Sequence, residues 1–213
     1  MAIPAIPAYP LPAADALPAS PWAWRLDPRR AVLLVHDMQT YFTRPYVDAE
    51  PLATVVAHID RLRRACADAG VPVVYTRQPG GQSPAERGLL QDVWGPGLPA
   101  DPALEAIVAP LAPRPGDTVL TKRRYSAFLG TDLADRLGDR DQMVITGLYA
   151  HIGVTATAVE AFSRDIAPFL VADAVADFGP EHHADAVRFV AGRCGAVLDT
   201  RAAMAALAGV AAS

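Results

Sequence analysis

The chain has 213 residues, of which 52% are hydrophobic, and a formal net charge of -4 at pH 7. This length suits one large domain with a full core, and the mild acidity provides no basic patch for nucleic acid or an anionic membrane. No apolar run approaches the roughly 20 residues of a membrane span, and the N-terminus does not resemble a secretory signal. The two cysteines, Cys66 and Cys194, are far apart in the chain and do not suggest a disulfide framework. We therefore expect a cytoplasmic protein.

The first 30 residues are rich in proline, with six prolines before Trp22. Proline fixes φ and lacks an N–H group, so this segment cannot be a helix or a central strand. It is either a disordered tail or an extended arm packed on a surface such as a neighbouring subunit, and Trp22 and Trp24 favour the arm. We therefore predict an extended N-terminal arm over residues 1–30 and a single domain over residues 31–213.

From residue 31 onward, predicted strands and helices alternate. Most strands are continuous apolar runs, which is typical of a parallel sheet buried on both faces. The pattern predicts an α/β protein with three α/β/α layers around a mostly parallel sheet of six strands. Strands are predicted over 31–37, 71–79, 118–122, 141–147, 167–176 and 196–200, and helices over 51–70, 131–139 (with Thr131 as N-cap), 154–165, 181–193 and 201–210.

Polar residues stand where the first strands of this sheet end. The first strand ends at Asp37, the second at Gln78 and the third at Lys122, and the fourth ends at Gly147 before the turn LYAHIGV. In an open parallel sheet, ligands bind beyond the carboxyl ends of the strands. A single Asp after a strand is often only a turn former. Together, however, an acid, an amide and an amine at one edge predict a functional site.

Six segments in chain order carry a family resemblance: HDMQTYF, YTRQPG, ERGLLQDVWGPGL, LTKRRYSAF, GLYAHIGV and FLVADAVADF. Together they resemble the isochorismatase family of the cysteine-hydrolase superfamily, over almost the whole chain. The resemblance implies a six-stranded parallel sheet with helices on both sides. It also implies a homodimer acting on a small chorismate-derived molecule, without a cofactor and without nucleic-acid or membrane partners.

Most members of that superfamily are amidases with an Asp, Lys and Cys triad, and the resemblance places the cysteine at Gly153 of this chain. Cys66 and Cys194 lie in other predicted helices. Gly153 could mark an inactive copy, but the isochorismatase branch also lacks the cysteine while keeping the Asp and the Lys. The missing thiol therefore implies a different chemistry.

Isochorismate-type substrates carry an enolpyruvyl vinyl ether, whose cleavage needs a general acid and no nucleophilic side chain. The resemblance implies Asp37 as the acid, with Lys122 and Gly153 completing the catalytic set. Burial would raise the pKa of Asp37 and Lys122 would lower it, and the sequence leaves open which effect is larger. We expect the two groups to titrate as a coupled pair.

The implied substrate is a small dicarboxylate, which cations and amides should bind. Gln78 and Arg87 match family positions that hold carboxylate or ring groups, and a planar guanidinium suits a carboxylate. Arg87 could instead be a solvated loop cation. The remaining predicted substrate-binding residues are aromatic: Phe42, Trp94, Tyr125 and Tyr149. The resemblance also implies that the Leu148–Tyr149 peptide bond is cis.

The five histidines have no spacing that suits a metal site, so we interpret them as surface or internally hydrogen-bonded residues and expect no metal. Two departures from the family pattern adjoin the predicted site. Arg77 stands where the family often has Ala, and Arg123 where it often has Trp. Both leave the substrate, rather than the reaction class, open.

Two branches of the family fit this chain. The pair Gly153–Val154, the TDL stretch starting at Thr131 and an end at Ser213 without a carrier motif resemble stand-alone phenazine-pathway hydrolases. This implies 2-amino-2-deoxyisochorismate as substrate, with isochorismate of a siderophore pathway as the alternative. A non-catalytic binding protein of the same fold is a third hypothesis, but a scaffold would have no reason to keep Asp37, Gln78 and Lys122.

Overall fold

A computed structural model describes residues 3–209. Within that range one parallel sheet has six strands in the order β3-β2-β1-β4-β5-β6. The predicted α/β class and six-stranded sheet are thereby confirmed. The strands are β1 (Ala31–His36), β2 (Val73–Arg77), β3 (Thr118–Thr121), β4 (Gln142–Leu148), β5 (Ala167–Ala176) and β6 (Ala196–Leu198).

The helices of the described range include all five predicted ones and four short ones that were not predicted. The predicted N-cap Thr131 is off by one residue, because the helix begins at Leu133 and its N-cap is Asp132. The Thr131 hydroxyl still accepts a hydrogen bond from the N–H of Leu133 at 3.2 Å. The last predicted helix begins at Thr200, and its predicted final residue, Val210, lies outside the described residues. The helices are α1 (Thr40–Thr43), α2 (Leu52–Asp68), α3 (Pro84–Arg87), α4 (Leu90–Trp94), α5 (Pro102–Glu105), α6 (Leu133–Leu137), α7 (Thr155–Ser163), α8 (Pro180–Arg193) and α9 (Thr200–Leu207).

Strand β1 shows why the strands are apolar throughout. Leu33 and Val35 pack into a core with α2 and α9, whereas Val32 and Leu34 pack into a second core with α6, α7 and α8. Both faces of the sheet are therefore covered, and neither set of side chains meets solvent. Among the residues described, no helix is both long and apolar enough to cross a lipid bilayer.

The proline-rich N-terminal segment packs along its own chain. Ile6 is fully buried, and its N–H donates to the Pro45 carbonyl at 2.8 Å. The Tyr9 hydroxyl accepts from the N–H of Asp177 at 2.7 Å, and the Trp22 indole donates to the Gly195 carbonyl at 2.9 Å. Of the two interpretations of this segment, the packed arm is the one that these contacts support.

The strand order fixes where a ligand can bind. Chain connections run outward from β1 in one direction and from β4 in the other, so a crevice opens between the carboxyl ends of these two strands. His36, the last residue of β1, lies opposite Gly147 of β4. The candidate site is built around this pair of strand ends.

Candidate active site

A cleft at these strand ends has an empty volume of about 620 Å³, including open solvent at its mouth. Its lining combines one carboxylate, two cations and an amide with several aromatic rings. The structure brings all nine predicted site residues to this one cleft: Asp37, Lys122, Gly153, Gln78, Arg87, Phe42, Trp94, Tyr125 and Tyr149.

Asp37 follows β1 in the left-handed region, with φ 47°, which is uncommon for a residue other than glycine. Its Oδ2 lies 2.7 Å from Nζ of Lys122, and Gln78 donates to the same oxygen at 3.2 Å. Its Oδ1 accepts from the Thr76 hydroxyl at 2.6 Å. The carboxyl group is thus held by three donors inside the protein.

Opposing effects act on the pKa of Asp37. Burial raises it, but the ammonium of Lys122, the nearby His36 and the Thr76 hydroxyl lower it, and the result is a pKa below the usual value. The question that the sequence left open is therefore answered for the unliganded site. At neutral pH, Asp37 is a carboxylate paired with Lys122.

The composition of the chain also singles out Lys122. It is the only lysine of the chain, whose other 18 basic residues are arginines. It is 1% exposed, and its Nζ also donates to the Arg124 carbonyl at 3.0 Å. A lysine kept at one buried position suits a compact ammonium beside a carboxylate, where a planar guanidinium would need more space.

Gln39 holds the Gln78 backbone in place, and its role was not predicted. Its side-chain carbonyl accepts from the Gln78 N–H at 2.7 Å, while its amide donates to the carbonyls of Gln78 at 2.9 Å and Glu105 at 3.0 Å. Gln39 is fully buried, and it lies two residues after Asp37 in the motif HDMQ. It therefore ties the end of β1 to the end of β2.

Arg87 is a buried cation rather than a solvated one. It is 3% exposed at the end of α3, and its Nε donates to the Gly95 carbonyl at 3.2 Å. Gly97, with φ 71°, leaves room for the guanidinium, because a Cβ there would lie 2.6–2.8 Å from three of its atoms. Within residues 3–209 no carboxylate pairs with Arg87, so its charge is available to an anion in the cleft.

Aromatic rings form much of the wall. Phe42 and Tyr149 meet edge to face at 6.2 Å between ring centroids, and the Trp94 indole donates to the Tyr125 hydroxyl at 2.7 Å. Phe178 completes this wall, 4.7 Å from Tyr149, and was not predicted as a site residue. Its position just after β5, at the same edge of the sheet, was the available signal.

The N-terminal arm supplies a second unpredicted part of the wall, because Ile3 lines the cleft. The sequence carries no local signal for this placement. The arm reaches the cleft through a bridge between Ile6 and Tyr46, which are distant in the chain. Such a contact follows only from the tertiary fold.

Gly153 lies in a turn that follows β4, a single π-helical stretch, Ala150–Val154, that leads into α7. The Leu148–Tyr149 peptide bond is cis, as predicted. Neither cysteine lines the cleft, and burial raises the pKa of the Cys66 thiol to about 12 and that of Cys194 to about 11. Neither thiol is placed or activated to act as a nucleophile here.

The two departures from the family pattern lie outside the cleft. Arg77, the last residue of β2, is exposed, and Arg123 lies 3.7 Å from Glu86 at the surface. Neither touches the space that a ligand would fill. Across residues 3–209, no group of three or more His, Cys, Asp and Glu side chains could hold a metal ion.

Comparisons with known proteins agree with this geometry. A family model described as the isochorismatase domain matches residues 31–202. The chain is 54% identical to phenazine biosynthesis protein PhzD1 of Pseudomonas aeruginosa, covering 93% of this chain and 96% of that protein. It is 52% identical to an isochorismatase of Bacillus subtilis, covering 91% and 63% respectively. A cysteine hydrolase from Pseudomonas syringae shares the fold, with a TM-score of 0.82, 22% identity and coverage of 91% and 98%.

Proposed function

The chain belongs to the isochorismatase family, and from that premise we propose that it hydrolyses the enolpyruvyl vinyl ether of 2-amino-2-deoxyisochorismate. The products are pyruvate and trans-2,3-dihydro-3-hydroxyanthranilate, for phenazine-type biosynthesis. One observation carries the proposal most strongly. A buried carboxylate, Asp37, faces the cleft beside Lys122, while the position of the superfamily nucleophile is Gly153.

In the proposed mechanism, Asp37 is the general acid. It protonates the terminal methylene carbon of the vinyl ether, which becomes a methyl group, and the neighbouring carbon becomes an oxocarbenium ion. Water adds to that carbon, and the proton that water loses restores the acid. The hemiketal then breaks its bond to the ring oxygen, which takes the hydroxyl proton, and pyruvate is released. General acid catalysis of this kind contributes about 10²- to 10⁴-fold in rate.

The protonated acid forms when the substrate binds. Asp37 is ionised in the unliganded site because Lys122 and its other neighbours outweigh burial. Two substrate carboxylates in the cleft raise the pKa of Asp37 by charge repulsion and share the ammonium of Lys122. Arg87 provides a second counter-charge for the substrate. Asp37 then takes a proton from solvent.

Isochorismate is the second candidate substrate, because the isochorismatase of Bacillus subtilis is nearly as similar to this chain as PhzD1, with 52% against 54% identity. The two compounds differ by an amine or a hydroxyl group on the ring. The Gly153–Val154 pair and the TDL stretch favour the amine. The same Asp37 chemistry applies to both compounds.

The setting of the protein is also part of the proposal. Two free, buried cysteines fit a reducing cytoplasm.

We also propose a homodimer. The apolar side chains of Phe162 on α7 and Phe189 on α8 are exposed and fit such an interface, which sedimentation equilibrium would test. Residues 1–30 are proposed as an arm of a single domain that spans residues 31–213.

The test is pyruvate release from each compound under identical conditions. The wild-type protein should cleave the amino compound faster, and Asp37→Asn should lose at least about 100-fold in kcat. Asp60→Asn is the matched control, because Asp60 is also ion-paired but lies on α2 away from the cleft. Faster cleavage of isochorismate would reverse the choice of substrate. No pyruvate from either compound would refute the proposed function.

A further inference from the structure

His36 lines the cleft, which the spacing of the five histidines in the sequence does not predict. It is 1% exposed, it ends β1, and it lines the cleft beside Asp37. Gly147 of β4 packs directly on its backbone. A Cβ at Gly147 would lie 2.8 Å from the backbone nitrogen of His36, and the φ of 103° at Gly147 suits glycine.

The imidazole of His36 lies between two loops of the site. Its Nδ1 lies 2.7 Å from the Leu148 carbonyl, and its Nε2 lies 3.2 Å from the Tyr125 carbonyl. Burial lowers the pKa of His36 to about 4, so the ring is neutral at physiological pH. A neutral ring has one N–H, and the shorter distance assigns that proton to Nδ1, which donates to Leu148.

The same ring fills the space beside Gly153. A Cβ built on Gly153 would lie 2.9 Å from Nε2 of His36 and 3.2 Å from the Tyr125 carbonyl, and it would lie closer still to Cε1 of the ring. Carbon atoms do not approach each other so closely without a shift of one group. This imidazole and a side chain at position 153 therefore exclude each other.

We infer that His36 is a positioning residue and that it forms one steric unit with Gly153. The ring occupies the volume into which a side chain at position 153 would extend, including the superfamily thiol. From there it holds the Leu148 backbone through its Nδ1–H and packs against the Tyr125 backbone, next to Asp37, whose Oδ2 lies 3.8 Å from Nδ1. A displaced acid or loop costs rate even when the ligand still binds. The kinetic part of this inference rests on the proposed function, whereas the steric part does not.

A double-mutant cycle tests the inference with Gly153→Ala, His36→Ala and the double variant. We expect Gly153→Ala to lower kcat for pyruvate release roughly 10- to 100-fold, because its methyl group displaces the ring. In the His36→Ala background, where the ring is gone and the Tyr125 carbonyl at 3.2 Å is the remaining near neighbour, the same change should cost less than about threefold. His36→Ala should lower kcat more than it raises KM, and His36→Gln, which keeps one N–H donor, should recover part of the loss.

Two matched controls accompany the cycle. Gly192→Ala adds a methyl group in open space on α8, and His183→Gln replaces another buried histidine with two hydrogen bonds, outside the cleft lining. Both should keep kcat and KM near the wild-type values. They separate effects of the cleft from general effects of the substitutions.

Thermal unfolding of the same four proteins tests the steric part without any substrate. Gly153→Ala should lower Tm clearly in the wild-type background and little in the His36→Ala background. Additive shifts in Tm would overturn the steric unit, and an unchanged kcat in folded His36→Ala would overturn the positioning role. If no protein released pyruvate while Tm remained coupled, the proposed function would fail and the steric unit would stand.

Discussion

At Asp37, burial and neighbouring groups act in opposite directions on one carboxyl group. The sequence placed this residue beyond a buried strand and therefore predicted both effects, but not which one is larger. The decision depends on the 2.7 Å distance to Lys122 and the 2.6 Å bond from Thr76, which belong to the tertiary structure. Residue types gave the components of the site, whereas their distances set its charge state.

The single lysine offers a direct measurement of this charge state. In protein labelled with ¹³C at lysine, one side-chain signal reports Lys122, and its shift should follow the titration of Asp37 beside it. We expect the midpoint of this titration step to lie below the ordinary Asp pKa of 3.8 in the unliganded protein. Addition of a dicarboxylate product analogue should move the step upward, because anions raise the pKa of a carboxyl group.

Asp37→Asn should abolish that step, since the amide does not titrate, and Asp60→Asn should keep it. Asparagine also tolerates the left-handed backbone at this position. A step at or above 3.8 in the unliganded wild-type protein would contradict the direction assigned to the pKa of Asp37. An analogue that binds without moving the step would contradict the proposed loading of the acid.

The pH dependence of catalysis follows from the same direction. The value of kcat/KM refers to the free enzyme, so it scales with the small protonated fraction of Asp37 there, whether the proton is taken up before or after the substrate binds. Because its pKa is lowered, that fraction falls about tenfold per pH unit above the pKa. We therefore expect kcat/KM to fall steadily from pH 5 to pH 8, while kcat, which reports the complex, stays level to a higher pH. A flat kcat/KM across this range would contradict Asp37 as the general acid.

At the scale of elements, the strands and long helices were predictable because their apolar patterns repeat along the chain. Strand β5 matches its predicted range, and α2 differs from its prediction by only one or two residues at each end. The short helices α3, α4 and α5 were missed because four or five residues show no periodicity. They form the segment that holds Arg87 over Gly97, so the missed elements matter for the site.

The N-terminal arm is the element with the least predictable role, because it completes the cleft from outside the sheet. Ile3 lines the cleft, so Ile3→Ala should raise KM about three- to tenfold and leave kcat unchanged, since the lost apolar contact serves ground and transition states equally. Leu11→Ala is the matched control, because Leu11 packs on the core without lining the cleft. Steady-state pyruvate release measures both. Equal KM values for the two variants would show that the arm does not contribute to substrate binding.

At the scale of the whole molecule, the site lies at the carboxyl ends of the sheet strands, and its buried ionisable groups affect folding. His36 is neutral in the folded protein with a pKa of about 4, against an ordinary value of 6.5. Between pH 4 and pH 6.5, His36 therefore binds a proton in the unfolded chain but not in the folded protein. Stability is fully present above pH 6.5 and is lost as the pH falls toward 4.

This linkage predicts an acid sensitivity that one substitution reduces. Between pH 7.5 and pH 5.0, the shift at His36 costs the wild-type protein about 2 kcal/mol of unfolding free energy. His36→Gln does not titrate, so its loss over the same range should be smaller by about that amount, even if the variant is less stable at every pH. Urea unfolding at the two pH values measures the difference. His183 is also buried with a lowered pKa, but it is present in both proteins and cancels. Equal losses in the two proteins would mean that the pKa of His36 does not change on folding. A smaller loss in the wild-type protein than in His36→Gln would mean that His36 is protonated in the fold, with both ring nitrogens donating to the Leu148 and Tyr125 carbonyls.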